Sequence, residues 1–223
     1  LILDAGSGMR NLGRKFMERE YGTGEGYAPI VIGHTHWDHI MGLPFFHPMY
    51  VKGNRFAFYS AGQAGLGIEH ILAGEYQDLH FPISLKVIPS ALEFNDFVAG
   101  DSFDCNGFRV HTIQLNHPGM TIGYRVESDG GSVVVFTDTA RISEVRLGDG
   151  MGGLDPDPAY SVKYRNAIAE FCRDCDILVH DSHFLEHEMV GKYHWGHTTV
   201  EDCVDLCRRS NASNLFLFHH APE

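Results

Sequence analysis

His34-Thr35-His36-Trp37-Asp38-His39 sets four metal-binding side chains within six residues. Imidazole nitrogens and carboxylate oxygens suit Zn²⁺ and the neighbouring first-row metals. The apolar run Ile30-Val31-Ile32 and then Gly33 stand immediately before them. That pattern predicts a short buried strand that ends here and delivers its ligands on a loop. On such a loop His34 and His36 turn inward together toward one ion. Asp38 and His39, further round the turn, face a second. Two close cations make a nucleophile from water and clamp an oxyanion, so the motif predicts hydrolytic chemistry. The plain alternative is a histidine-rich surface loop, and the remainder of the chain argues against it.

Four more apolar runs end in ligand-type residues. Phe108 to Leu115 leads to Asn116-His117-Pro118-Gly119, and Ser132 to Phe136 leads to Thr137-Asp138-Thr139. Asp176 to Val179 leads to His180-Asp181-Ser182-His183, and Asn214 to Phe218 leads to His219-His220. Runs of this length and composition read as buried strands. In layered α/β proteins the reactive groups sit on loops at strand ends. One such end is ordinary; five together point to a site.

In this order the motifs resemble the metallo-β-lactamase superfamily. HTHWDH, the single His in LNHPG, the Asp in FTDT and the His of LFLFHHAP are similar to its phosphodiesterase and ribonuclease Z-like branch. Leu1 to Gly8 resembles that family's early strand and turn, and Gly196-His197-Thr198-Thr199 resembles the branch's GHST element. The resemblance implies a four-layer αββα sandwich over residues 1–223, one hydrolase domain. It implies two divalent metal ions, Zn²⁺ foremost, with Mn²⁺ or Fe²⁺ open. His34, His36 and His117 would hold the first. Asp38, His39 and His219 would hold the second, with Asp138 bridging. The two oxygens of a carboxylate suit a bridge, and a one-nitrogen imidazole suits a terminal position. The family pattern favours His219 over His220. Asp38 and His197 are the expected catalytic residues. The His of GHST faces the scissile phosphate in the resembled branch and helps protonate the leaving oxygen, a task for a group with a near-neutral pKa. His197 also reads as a helix-start residue, with Thr198 or Thr199 as cap. His194 is a candidate substrate contact. Asp181 is a candidate acceptor behind a ligand histidine, with His183 on the same rim. Asp4 is either such an acceptor or a turn former.

The chain carries a formal charge of −12 with neutral histidines. That disfavours tight binding to a phosphate backbone. The resembled ribonucleases also carry a basic, glycine-rich arm, which would lie after Asp138. Thr139 to Lys163 is short and contains Asp149, Asp155 and Asp157, and Gly148 to Gly153 is glycine-rich without basic residues. We therefore expect small or cyclic phosphodiesters as substrates, without tight nucleic-acid binding. Lactones or thioesters attacked at a carbonyl carbon are the alternative, and so is a ribonuclease Z-like nuclease. The β-lactamases proper usually have a zinc-binding Cys where Asp138 stands. The di-iron flavin-linked enzymes usually have a Glu that LNHPG lacks. A metal-binding module without catalysis is a further class.

No apolar run reaches the roughly 18 residues of a membrane span, and no basic start with an apolar core reads as a signal peptide. The five cysteines, Cys105, Cys172, Cys175, Cys203 and Cys207, form no secreted scaffold. Their odd number points to free thiols and the cytoplasm. Cys172-x-x-Cys175 ends a helix-like stretch, and Cys203 and Cys207 have helical spacing, so all four read as core residues. Leu1 falls inside a strand pattern, so the family's earlier strands are expected to precede it. A homodimer is compatible with the reading. Phe46, His47, Tyr76, His80 and Phe81 border the expected substrate cleft, mostly as packing residues.

Overall fold

The structure is a computed structural model and describes residues 1–76, 81–141 and 158–221. The expectations placed on His80 and on residues 148–157 lie outside these. The chain divides into two compact units, Leu1–Val98 and Ala99–Glu223. Each contains one sheet, so the chain has the mixed α/β, two-sheet organisation expected from its sequence. Among the described residues no helix is long and apolar enough to cross a membrane.

The first unit holds β1 (Ile2–Leu3), α1 (Met9–Met17), α2 (Glu20–Thr23), β2 (Tyr27–Ile32), α3 (Trp37–Ile40), β3 (Arg55–Ala61), α4 (Ile68–Glu75) and β4 (Ala91–Phe97). Its strands lie in the order β1-β2-β3-β4, all parallel. A parallel sheet covered on its faces demands nearly continuous apolar strands. Ala28 to Ile32 and Phe56 to Phe58 accordingly are buried. β4 lies at one edge, opposite β1, and it carries Glu93, Asn95 and Asp96 among its residues, which discourages further pairing there. Ile30, Ile32, Phe46, Phe56, Phe58, Ile68 and Leu72 make the core of this unit. Phe46 and Tyr76 belong to that core, 0% and 4% exposed, and so line no open cleft.

The second unit holds β5 (Ser102–Cys105), β6 (Phe108–Gln114), β7 (Ile122–Ser128), β8 (Gly131–Phe136), α5 (Pro158–Phe171), β9 (Ile177–Asp181), α6 (Val200–Ser210) and β10 (Leu215–Phe218). The order is β10-β9-β8-β7-β6-β5. β8, β9 and β10 are parallel, and β6 and β8 are both antiparallel to β7. It follows that β6, β8, β9 and β10 all run the same way. Their carboxyl ends therefore share one rim of the sheet, and every candidate residue of this unit follows one of those ends or faces them. The core gathers Leu115, Val134, Phe136, Ile168, Leu178 and Leu206 with Cys172 and Cys175. All five cysteines are free, and only Cys207 is less than buried. Burial pushes the Cys172 and Cys203 thiols well above their usual range and raises that of Cys175 as well. These are packing residues.

One strand runs longer than its sequence suggests. β9 continues through His180 and Asp181, with His180 in register with Phe136 and Leu217. His180 is 1% exposed, packs edge-on against the Phe136 ring and meets Cys203 Sγ at 3.4 Å. It belongs to the core rather than to a ligand loop, and burial lowers its pKa.

Candidate metal centre and acid–base residues

The first unit presents its ligands on the turn after β2. Asp4, at the end of β1, organises that turn. It sits at φ 58°, a left-handed conformation that asparagine and aspartate tolerate best. Its Oδ1 accepts the Gly33 N–H at 2.7 Å, and its Oδ2 lies 2.7 Å from His39 Nδ1. Asp4 is thus both the turn former and the acceptor behind His39. The backbone repeats the link, with Ala5 N–H donating to His39 O at 2.8 Å and Gly42 N–H to Ala5 O at 2.9 Å. A Cβ at Gly6 would collide with the Asp38 carbonyl oxygen, so this close approach needs glycine. The His34 ring lies 4.6 Å from that of His36 and 4.2 Å from that of His39. Asp38 Oδ2 lies 3.2 Å from His39 Nε2. His34 and His39 are buried, whereas His36 and Asp38 are exposed.

The second unit centres on Asp138, just past β8 and 2% exposed. Its Oδ2 lies 3.8 Å from His117 Nε2, 3.6 Å from His219 Nε2 and 3.9 Å from His197 Nδ1. These separations are too long for hydrogen bonds. The His117 and His219 separations suit donors sharing a cation at about 2.0–2.2 Å from each, whereas His197 Nδ1 is taken up by Asp181 at 2.8 Å. His117 Nδ1 lies 2.7 Å from the Gly196 carbonyl oxygen. A carbonyl only accepts, so Nδ1 carries the hydrogen and Nε2 keeps its lone pair toward Asp138. His39 against Asp4 repeats the arrangement with a carboxylate. A metal-binding histidine is normally held this way at its other nitrogen. The donor set therefore fits divalent ions. Gly196 reaches His117 at φ +84°, where a Cβ would stand 2.7 Å from His117 Nδ1. Only glycine closes this contact.

His197 follows that glycine, and Thr199 caps α6 by accepting the Asp202 N–H at 3.3 Å. Asp181, fully buried, binds His197 Nδ1 through Oδ2 at 2.8 Å. It also accepts the Thr139 N–H at 3.0 Å and the His183 N–H at 3.0 Å. The carboxylate is locked from three sides and fixes the ring in turn. His183 adds a clamp that its sequence position did not reveal. Its ring stacks on His197 at 4.3 Å, and its Nδ1 donates to the His219 carbonyl oxygen at 2.7 Å. His197 stacks on His219 at 4.9 Å in turn. Desolvation lowers the His183 pKa, and the neighbouring imidazoles push the same way. His219 itself is held at φ 60°, a conformation that costs free energy and clusters at functional sites. His220 turns elsewhere, its Nδ1 3.4 Å from Ser182 Oγ. His194 is exposed, its ring 6.5 Å from that of Trp195. Within this unit, Asp181, His183, His197 and His219 form one group with ligand atoms within 4.8 Å of one another, and His117, Asp138 and His197 form another.

The family profile described as "Beta-lactamase superfamily domain" matches residues 1–220. The chain belongs to the β-lactamase superfamily. It is a metal-dependent hydrolase of that superfamily, and its His/Asp clusters imply divalent metal ions. Ribonuclease Z of Bacillus subtilis (strain 168) is 24% identical over 220 residues, covering 85% of this chain and 69% of its own length. The crystal structure of the metallo-β-lactamase fold protein YhfI from Bacillus subtilis matches with a TM-score of 0.66 at 17% identity, over 99% of this chain and 73% of that one. The crystal structure of a new diphosphatase from the PhnP family matches with a TM-score of 0.59 at 21% identity, over 98% of this chain and 68% of that one. At these identities the structural matches speak for the fold.

Proposed function

We propose that residues 1–223 act as one phosphodiesterase domain, hydrolysing small or cyclic phosphodiesters in the cytoplasm with two zinc ions. His34, His36 and His117 would hold one ion, Asp38, His39 and His219 would hold the other, and Asp138 would serve both. When bound there, the ions lower the pKa of water and offset phosphate charge. Asp4 and the Gly196 carbonyl orient His39 and His117 for this task. Asp181 holds His197 at Nδ1 and leaves Nε2 to give a proton to the leaving alkoxide. His183 keeps that ring from tilting.

The observation that carries the reading is the 2.8 Å pair of His197 and Asp181, stacked beside His219 and next to Asp138. An alkoxide leaving group needs a proton, and a positioned imidazole is the usual donor. Two features support small substrates over long nucleic acids. The charge of −12 opposes a polyanion, and the segment after Asp138 lacks a basic arm in its sequence. A relative named ribonuclease Z keeps RNA among the substrates to be tried.

The test is hydrolysis of bis(p-nitrophenyl) phosphate by the metal-loaded protein beside Asp38→Ala. Metal-dependent turnover that the substitution abolishes is expected. Two bound metals with no phosphodiester turnover, but with lactone or thioester turnover, would overturn the reading.

A further inference from the structure

Arg141 stands three residues past Asp138 and is half-buried. Its guanidinium forks onto Asp202 in the first turn of α6, with Nε 2.9 Å from Oδ2 and Nη2 3.4 Å from Oδ1. Nη1 donates to Glu186 Oε1 at 2.8 Å. The main chain beside it is tied as well. The Asn116 side-chain N–H donates to the Arg141 carbonyl oxygen at 3.1 Å, and Ala140 N–H donates to Asn116 O at 2.6 Å. Asn116 is the residue before His117. Arg141 therefore joins the loops after β6 and β8 to the start of α6.

The chain of contacts ends on His197. The two threonine hydroxyls that follow it both donate to Asp202 Oδ2, Thr198 at 3.1 Å and Thr199 at 2.9 Å. The carboxylate thus grips the two residues after His197, and Arg141 fixes the carboxylate. A planar guanidinium bound through two nitrogens sets its partner's orientation, which an ammonium does not. Asp181 fixes the rotation of the His197 ring at Nδ1. Where that ring stands depends on the main chain that carries it. Proton transfer needs heavy atoms within about 2.6–3.2 Å, and a displacement of about 1 Å costs on the order of 100-fold in rate. The charge of Arg141 is already matched by Asp202 and Glu186, so the contacts describe placement and not a phosphate clamp.

We propose that Arg141 is a positioning residue: through Asp202, Thr198 and Thr199 it holds His197 within reach of the leaving oxygen. The assignment rests on the reading of His197 as proton donor. It predicts that the need for Arg141 follows the leaving group. A poor leaving group depends on the proton more than a good one.

The test is a double-substitution cycle on the metal-loaded protein. Arg141→Met should lower kcat on bis(p-nitrophenyl) phosphate by about 10–100-fold, with metal content and KM unchanged. On diphenyl phosphate, whose leaving group is poorer, the loss should be greater. In a His197→Ala background the same substitution should cost less than about twofold, because it acts through a residue already removed. Arg141→Lys keeps the charge without the fork and should recover only part of the rate. Equal losses on the two esters, or losses that multiply in the double variant, would overturn the proposal. One further readout needs no turnover. The His197 Nδ1–H, bonded to Asp181, should exchange slowly with solvent by NMR in the parent protein and quickly in Arg141→Met. An unchanged exchange rate there would overturn the positioning role. A protein that hydrolyses no phosphodiester would refute the activity, while the exchange data still decide the placement of His197.

Discussion

Replacing Gly196 by alanine should cost the protein both stability and metal. The residue sits at φ +84°, where a side chain costs about 1–2 kcal/mol. The added Cβ would stand 2.7 Å from His117 Nδ1 and 2.7 Å from Pro118 Cδ. Neither is the free end of a flexible chain, so relief means moving the His117 loop, at about 1–3 kcal/mol. The sum is about 3 kcal/mol. A chain of this size loses about 2–4 °C in Tm per kcal/mol, so Tm should fall by about 6–12 °C. The displaced ring also loses its 2.7 Å bond to the Gly196 carbonyl. Loss of such an outer partner typically lowers metal affinity by about 10–100-fold. Calorimetry on the metal-free protein reads the first effect, and titration against a chromophoric chelator reads the second. A metal-free Tm within about 2 °C of the parent, together with unchanged metal affinity, would refute both the contact and the role assigned to His117.

The same physical account gives four further expectations. His197→Ala should keep its metal and lose about 10²–10⁴-fold in kcat on bis(p-nitrophenyl) phosphate; loss of metal instead would make His197 a ligand. Asp4→Asn keeps an acceptor for the Gly33 N–H but removes the carboxylate from His39, so metal affinity should drop by about tenfold, as the chelator titration would show. His180 is buried and its pKa is lowered; the unfolded chain gains a proton there below about pH 6.5 that the folded chain refuses. Stability should therefore fall, by up to about 1.4 kcal/mol per pH unit, from pH 6.5 down to the lowered folded value. Urea midpoints against pH should show this slope, and His180→Gln should flatten it. The raised, buried Cys172 and Cys203 thiols should stay unlabelled by iodoacetamide in the native protein at pH 8, while half-buried Cys207 takes up label, and urea should expose all five cysteines.

The strands and their order of use were legible because the strands that carry site residues are short, apolar and end in polar motifs. Ile30-Val31-Ile32 and Val133 to Phe136 announce themselves by composition alone. His180 was misplaced for the same reason: a polar residue after an apolar run looks like a strand end. Only the register with Phe136 and Leu217, a long-range pairing, shows that β9 continues through it. The candidate residues were legible as types and spacings. Asp4 and Asp181 were legible as candidate acceptors but their partners were not, since these depend on contacts remote in sequence. Asp4 meets His39 across 35 positions, and the Gly196 carbonyl meets His117 across 79. The left-handed glycine before His197 was the available signal, because a glycine beside a functional histidine often marks a close backbone approach. His183 was legible only as a residue on the same rim as Asp181, since its stacking on His197 exists only in the folded chain.

The central claim is that seven side chains hold two ions. Anomalous scattering at the zinc edge from crystals of the zinc-loaded protein tests it most directly. The account predicts two peaks, one bonded to His34, His36 and His117 and one to Asp38, His39 and His219, with Asp138 reaching both. A single peak, or an ion held instead by Asp181, His183 and His197, would contradict it.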